Sequence, residues 1–168
     1  MSSNRTHPFA LRRGLLIGVL ALGACGFTPV YGPGGSGGKL QNSVAFTAPA
    51  TELGFRVRTT LEDRFGAVSG SAENYSVNID LSSSQGSAAI NEAGDITRLD
   101  IQGTARWDLT NADQTYSTGD DVRATTSYSA TGTTVATQAA ERDAVERLAQ
   151  ILADRIAAGL ILASGSLP

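Results

Sequence analysis

The chain contains a single cysteine, Cys25, and a single histidine, His7, and those two positions exclude most side-chain chemistry at once. A Ser-His-Asp or Cys-His relay needs an imidazole beside its nucleophile, and His7 stands at the extreme N-terminus, away from the body of the chain. One cysteine builds neither a disulfide framework nor a cysteine-based zinc site. The serine run Ser82-Ser83-Ser84 has no histidine partner and no nucleophile-elbow pattern, so it does not read as a hydrolase. Asp120-Asp121 lacks a ring of oxygen ligands at calcium-loop spacing and reads as a turn. Gly37-Gly38-Lys39 resembles the end of a phosphate-binding loop. However, Pro33 stands where its first glycine is needed, and Leu40 replaces the Ser/Thr that holds magnesium. The expectation is therefore a protein with no catalytic residue, no metal site and no bound cofactor. A net charge of −3 also argues against a nucleic-acid binder. What remains is the thiol of Cys25 and a set of arginines.

The surroundings of Cys25 give its thiol a covalent role. Residues 1–13 carry Arg5, Arg12 and Arg13 with no acidic residue, and an apolar run follows from Gly14 to Ala24. As a helix, that run covers only about half of a ~30 Å hydrocarbon core, which suits the apolar part of a secretory signal and not a membrane span. Leu22-Gly23-Ala24-Cys25 has the form of the lipobox of bacterial lipoprotein precursors. That resemblance implies cleavage before Cys25, diacylglycerol on its sulfur and an N-acyl chain on the new terminus. Each buried acyl CH₂ contributes roughly 0.8 kcal/mol, so three chains anchor far more firmly than one. Gly26, and not Asp, follows the cysteine, which by resemblance to lipoprotein sorting in Gram-negative bacteria implies the outer membrane. Removal of 1–24 takes away His7 and three arginines. The mature chain then has ten Lys and Arg against 16 Asp and Glu, a formal charge of −6.

The elements behind Cys25 read as a tether and then one domain. Residues 25–42 form the acylated terminus and a linker rich in glycine (Gly32-Pro33-Gly34-Gly35-Ser36-Gly37-Gly38). Ser43–Thr47 is a short strand closed by Pro49. Thr51 caps a helix from Glu52 to Phe65, with Leu53, Val57 and Leu61 recurring every four residues and Gly66 as its stop. Tyr75–Ser82 alternates without a break, and Ser83–Ser87 leaves that strand. Glu92–Asp95 turns the chain into a long strand with Leu99, Ile101, Gly103, Ala105, Trp107 and Leu109 on one face. Asn111–Asp113 turns it again into a strand from Gln114 to Tyr128, with Gly119-Asp120-Asp121 expected to interrupt it as a bulge or bend. From Val135 the pattern is helical to Leu162, with Ala139, Val145, Leu148, Leu152 and Ile156 as the apolar stripe. Residues 163–168 are expected to fray. The expected fold is a single α+β domain over 43–168, with two helices on one face of a four-stranded, mostly antiparallel sheet. Tight connections favour a meander over βαβ units. The other sheet face stays uncovered and carries Arg98 and Arg106.

Cys25-Gly26-Phe27-Thr28-Pro29-Val30-Tyr31-Gly32, read with the lipobox and the order of elements, resembles the start of the LPS-assembly lipoprotein family LptE. The resemblance implies two helices packed on a four-stranded sheet and a non-enzymatic role. Members sit inside the large outer-membrane barrel LptD as plug and assembly aid, and contact lipopolysaccharide on its way to the cell surface. The implied partners are thus an LptD-like barrel, lipopolysaccharide and, through the lipid anchor, the outer membrane. Contact with lipid phosphates would use arginine, whose planar fork gives two parallel hydrogen bonds, and Arg98, Arg106 and Arg123 are the candidates. Arg98 and Arg106 lie about 27 Å apart along an ideal strand, too far to grip one phosphate together. A second reading of the same residues is an auxiliary lipoprotein facing the periplasm that binds lipid for an envelope transport system. It accounts for lipobox and fold, but not for the eight residues that begin at Cys25.

Overall fold

The computed structural model describes residues 36–66, 68 and 74–167. Residues 1–35, which hold the expected leader, Cys25 and most of the expected tether, lie outside the described residues. The chain enters through a short 3₁₀ turn, Ser36–Leu40. It then forms β1 (Val44–Thr47), α1 (Glu52–Phe65), β2 (Tyr75–Ile90), β3 (Ile96–Asn111), β4 (Ser117–Ser129) and α2 (Thr134–Ser164). The strands lie in sequence order in one open sheet. β1 runs parallel to β2, and the other pairs are antiparallel. The architecture is therefore the expected α+β one. The connection β1-α1-β2 is a βαβ crossover, however, so the meander expected throughout is confined to β2–β4.

Local chemistry sets these boundaries. Thr51 accepts a hydrogen bond from the backbone N–H of Gly54 at 3.1 Å and so satisfies one orphan donor of the first turn of α1. Gly66 ends that helix at φ 84°, a region open to glycine, and its N–H returns to the carbonyl of Glu62. Thr133 caps α2 in the same way, with Ala136 as donor. The 31 residues of α2 make a rod about 46 Å long. Its buried stripe is Ala144, Leu148, Leu152, Ile156 and Leu160, widened by Ala149, Ala153 and Ala157. Ala139, expected in the stripe, is exposed because the first turns of α2 run past the end of the sheet core.

The core lies between the helices and one sheet face. Val77, Ile79, Ile101, Ala105, Trp107, Leu109, Ala124 and Tyr128 supply the sheet side, and Leu53, Val57, Leu61 and Phe65 the α1 side. The alternating residues on the other sheet face are polar, and among the described residues no element covers them.

Three further expectations are corrected. β2 does not end at Ser82; it continues to Ile90 because β3 offers backbone partners as far as Ile96. The β3–β4 register runs without a break from Arg98↔Ser129 to Thr110↔Ser117, so Gly119-Asp120-Asp121 forms no bulge. Gly119 serves a close approach instead: a Cβ there would stand 2.4 Å from the carbonyl oxygen of Trp107. The C-terminal tail is fastened and does not fray: Leu167 is 5% exposed, its carbonyl accepts from Lys39 Nζ at 2.7 Å, and Ser166 hydrogen-bonds Tyr116. Lys39 and the fully buried Leu40 thus belong to the packed unit, at the end of the stretch expected to be tether.

Candidate functional site

The uncovered sheet face is the surface on which the candidate arginines can be compared. Strand parity fixes their direction. Arg98 and Arg106 alternate with inward residues of β3, and Arg123 alternates with Val122 and Ala124 of β4. All three point outward, yet the structure does not gather them into one site.

Arg98 lies near the far end of the hairpin, between Ala89 of β2 and Ser129 of β4. Its Nη2 donates to the hydroxyl of Ser127 at 3.0 Å. An open cleft of about 500 Å³ is lined there by Ala89, Thr97, Arg98, Ser127, Tyr128 and Ser129. None of those residues is acidic. The cleft therefore offers one guanidinium and several hydroxyl donors, a set suited to a phosphate or another oxyanion. Its floor is rigid. Tyr128 is buried, and its hydroxyl accepts from Gln85 Nε2. Burial pushes the Tyr128 phenol above its ordinary value of 10.0, with Glu141 acting in the same direction and the Gln85 bond against it. The hydroxyl thus stays neutral at physiological pH. On the helix side, outside the cleft lining, Arg147 of α2 donates to the backbone carbonyl of Ser127 at 3.2 Å and is ion-paired with Asp143. Nothing in the sequence marked Arg147, because its helical position only says that it covers the back of α2.

Arg106 has a different environment. Its Nε stands 3.5 Å from the Asp108 carboxylate, and its cross-strand neighbours are Asp80 on β2 and Asp121 on β4. Three carboxylates around one guanidinium leave little field for an added anion. Arg123 faces Thr104 on the outermost strand and is diagonal to Arg106, about 7–8 Å away across the ladder. Asp121 stands two residues from it on the same face of β4. Cys25 lies outside the described residues.

Among the described residues, no three His, Cys, Asp or Glu side chains come together to hold a metal ion. No helix among them is long and apolar enough to cross a membrane.

Comparison with known proteins adds to this geometry. The family model "LptE: Lipopolysaccharide-assembly" matches residues 41–160. A crystal structure of a Caulobacter crescentus CB15 protein described as a lipoprotein superposes with a TM-score of 0.63 at 20% identity, covering 81% of this chain and 100% of that one. The rare lipoprotein B of Shewanella oneidensis superposes with a TM-score of 0.52 at 13% identity, covering 70% and 91% of the two chains. At such identities, the two structures speak for the shared fold. No curated protein matches the chain.

Proposed function

The chain belongs to the LptE lipopolysaccharide-assembly family, and from that premise we propose that it is an outer-membrane lipoprotein, anchored through acylated Cys25, that partners an LptD-like barrel in delivering lipopolysaccharide to the cell surface. The observation that carries this reading is the family match, which covers almost the whole packed unit from the start of β1 to the last turns of α2. Membership makes the role one in envelope lipopolysaccharide assembly; the barrel, the anchor and the contact residues are the proposed part.

The physical fit is as follows. A mature chain of about 144 residues has a radius of gyration of roughly 14–15 Å, so only a very large barrel could hold it. The lumen of such a barrel is polar, and the uncovered sheet face, with its serines, threonines and paired charges, is a surface that can lie against it without burying unpaired groups. The Arg98 cleft is the proposed contact with lipid phosphate. Arg98 places a guanidinium beside Ser127 and Ser129, with no carboxylate lining the cleft. Arg106 and Arg123 are weaker candidates, since Asp80, Asp108 and Asp121 already neutralise their patch. The role is one of binding and positioning, with no bond made or broken.

The test is a gentle-detergent pull-down of C-terminally tagged protein from outer membranes, with the co-purifying chains identified by mass spectrometry. A near one-to-one partner of large-barrel size supports the proposal. Protein that comes down alone, or with inner-membrane transport subunits, overturns it in favour of the auxiliary lipid-binding reading.

A further inference from the structure

The backbone groups of β2 can be followed one residue at a time. The N–H of Tyr75 donates to the carbonyl of Ser43 on the β1 side, and the carbonyl of Asn74 accepts from Ala112 on the β3 side. Strand backbone groups alternate in direction, so the odd-numbered residues of β2 face β1 and the even-numbered ones face β3. The ladder with β1 ends at Thr47↔Asn78. After Ala45 and Thr47 the next residue of β1 in the same phase is Pro49, which has no N–H to give. Leu81, Ser83, Gln85 and Ser87 therefore each aim an N–H and a carbonyl at an edge that no strand among the described residues covers. Beyond Ser87 the register shifts, and the series stops. Native edges are usually guarded by charge, proline or covering segments. The opposite edge of the sheet, β4, carries Asp120, Asp121 and Arg123. The β2 edge carries no charge and no proline from Leu81 to Ile90, and from Ser82 onward its residues are exposed on both faces.

From this edge we infer that β2 receives an extended, uncharged segment of the barrel partner as a fifth strand, paired along Leu81–Ser87. The inference rests on the one-to-one complex of the proposed function: one free edge takes one segment. The pairing is about 23 Å long, the rise of the strand from Leu81 to Ser87. Main-chain hydrogen bonds supply the recognition, as in other cases of strand addition. The added segment is not a strand of the barrel wall, because a closed barrel pairs every wall strand on both sides and leaves no edge. It is a loop or a terminal segment that projects into the lumen. Its neighbours set its composition. Ser83, Gln85 and Ser87 on one face and Ser82, Ser84 and Gly86 on the other are neutral. A run of Ser, Thr, Gly or β-branched residues meets them with no charge left unpaired. Beside Leu81, which is half-buried against the core, the added strand carries an apolar side chain.

The test compares hydrogen exchange, read by mass spectrometry at single residues, in the complex recovered by the pull-down and in the free chain from residue 25 carrying Cys25→Ala. In the free chain the amides of Leu81, Ser83, Gln85 and Ser87 should exchange rapidly, while those of Ser82 and Ser84, paired with Thr104 and Gln102 of β3, are protected. In the complex the four edge amides should gain at least about tenfold protection. Ser83→Pro removes one edge-facing donor and none that β3 uses. The free chain should keep its far-UV circular dichroism and capture about fivefold to tenfold less barrel. Ser83→Lys with Ser87→Lys guards the edge without altering the backbone, and should lower capture as well. A one-to-one complex whose edge amides still exchange rapidly overturns the inference and leaves the proposed function standing, as does capture indifferent to both variants. Edge amides already protected in the free chain overturn it by assigning the edge to this chain's own residues or to a second copy. Absence of any barrel in the pull-down overturns the inference and the proposed function together.

Discussion

Replacing Gly159 by alanine tests how the long helix is seated on the sheet that carries the Arg98 cleft. A Cβ at Gly159 would lie 2.6 Å from Cζ2 of Trp107, 3.2 Å from Cε2 and 3.4 Å from Nε1. Carbon atoms pack best at about 3.5–4.0 Å, so helix and indole must separate by about 1 Å. The indole is 3% exposed and sits in the core. Overpacking of this kind costs about 1–3 kcal/mol. Against it stands the gain of about 1 kcal/mol for replacing glycine by alanine inside a helix. The net expectation is a loss of about 1 kcal/mol, or about 3 °C in Tm for a domain of this size. Urea unfolding followed by far-UV circular dichroism measures it. The decisive arm is the same substitution in a Trp107→Phe background. Phenylalanine lacks the atoms that Cβ would strike, and it also removes Nε1, a buried donor without a hydrogen-bond partner among the described residues. In that background Gly159→Ala should stabilise by up to about 1 kcal/mol, giving a coupling of about 2 kcal/mol between the two positions. Stabilisation of the parent by Gly159→Ala, equal to that in the Phe background, would refute the contact between α2 and Trp107.

Arg98→Ala should weaken binding of lipopolysaccharide vesicles by about threefold to fivefold, the worth of one exposed guanidinium–phosphate pair, while Arg106→Ala leaves it unchanged; flotation or calorimetry with the barrel complex reads the difference. Tyr128 predicts a pH dependence. Its phenol is raised in the folded chain, so stability is full below pH 10, the unfolded value, and falls as pH climbs above it. Tyr128→Phe should flatten that alkaline limb in denaturant midpoints measured against pH. Truncation after Gly165 removes the buried Leu167 and the carbonyl that Lys39 holds, and should lower stability by about 2 kcal/mol, read as a fall in the urea midpoint with an unchanged slope.

The order of elements was legible because its signals are local. Leu53, Val57, Leu61 and Phe65 recur at helical spacing behind a threonine cap, and all four are buried as that spacing demands. The alternation of β3 gives the sheet its two faces and puts Trp107 in the core. What escaped is what depends on partners distant in sequence. Ser82–Ile90 has the composition of a loop and becomes strand only because β3 pairs with it residue by residue. The tail looked free because Lys39, which holds it, lies 128 residues earlier. Gly119 looked like a break, yet the constraint on it comes from the Trp107 backbone on the next strand.

The same distinction decides how the arginines are read. Sequence spacing places Arg98 and Arg106 on one face and cannot rank them, because each has an aspartate two residues away. Cross-strand register ranks them. Arg106 gains Asp80 and Asp121 as direct neighbours, whereas Arg98 gains Ala89 and Ser129. A guanidinium beside alanine and serine keeps its attraction for an incoming anion, and one enclosed by carboxylates has already spent it. The strand register around each cation, more than the chain's net charge of −3, is therefore what would rank the proposed phosphate contacts on this face. Reversing that register chemistry should move the preference. Asp80→Ala with Asp108→Ala and Asp121→Ala would open the Arg106 patch to anions, and a new dependence of vesicle binding on Arg106 in that background, absent in the parent, is the expected result. If Arg106 stays silent after all three carboxylates are gone, neutralisation by its neighbours is not what keeps it from binding.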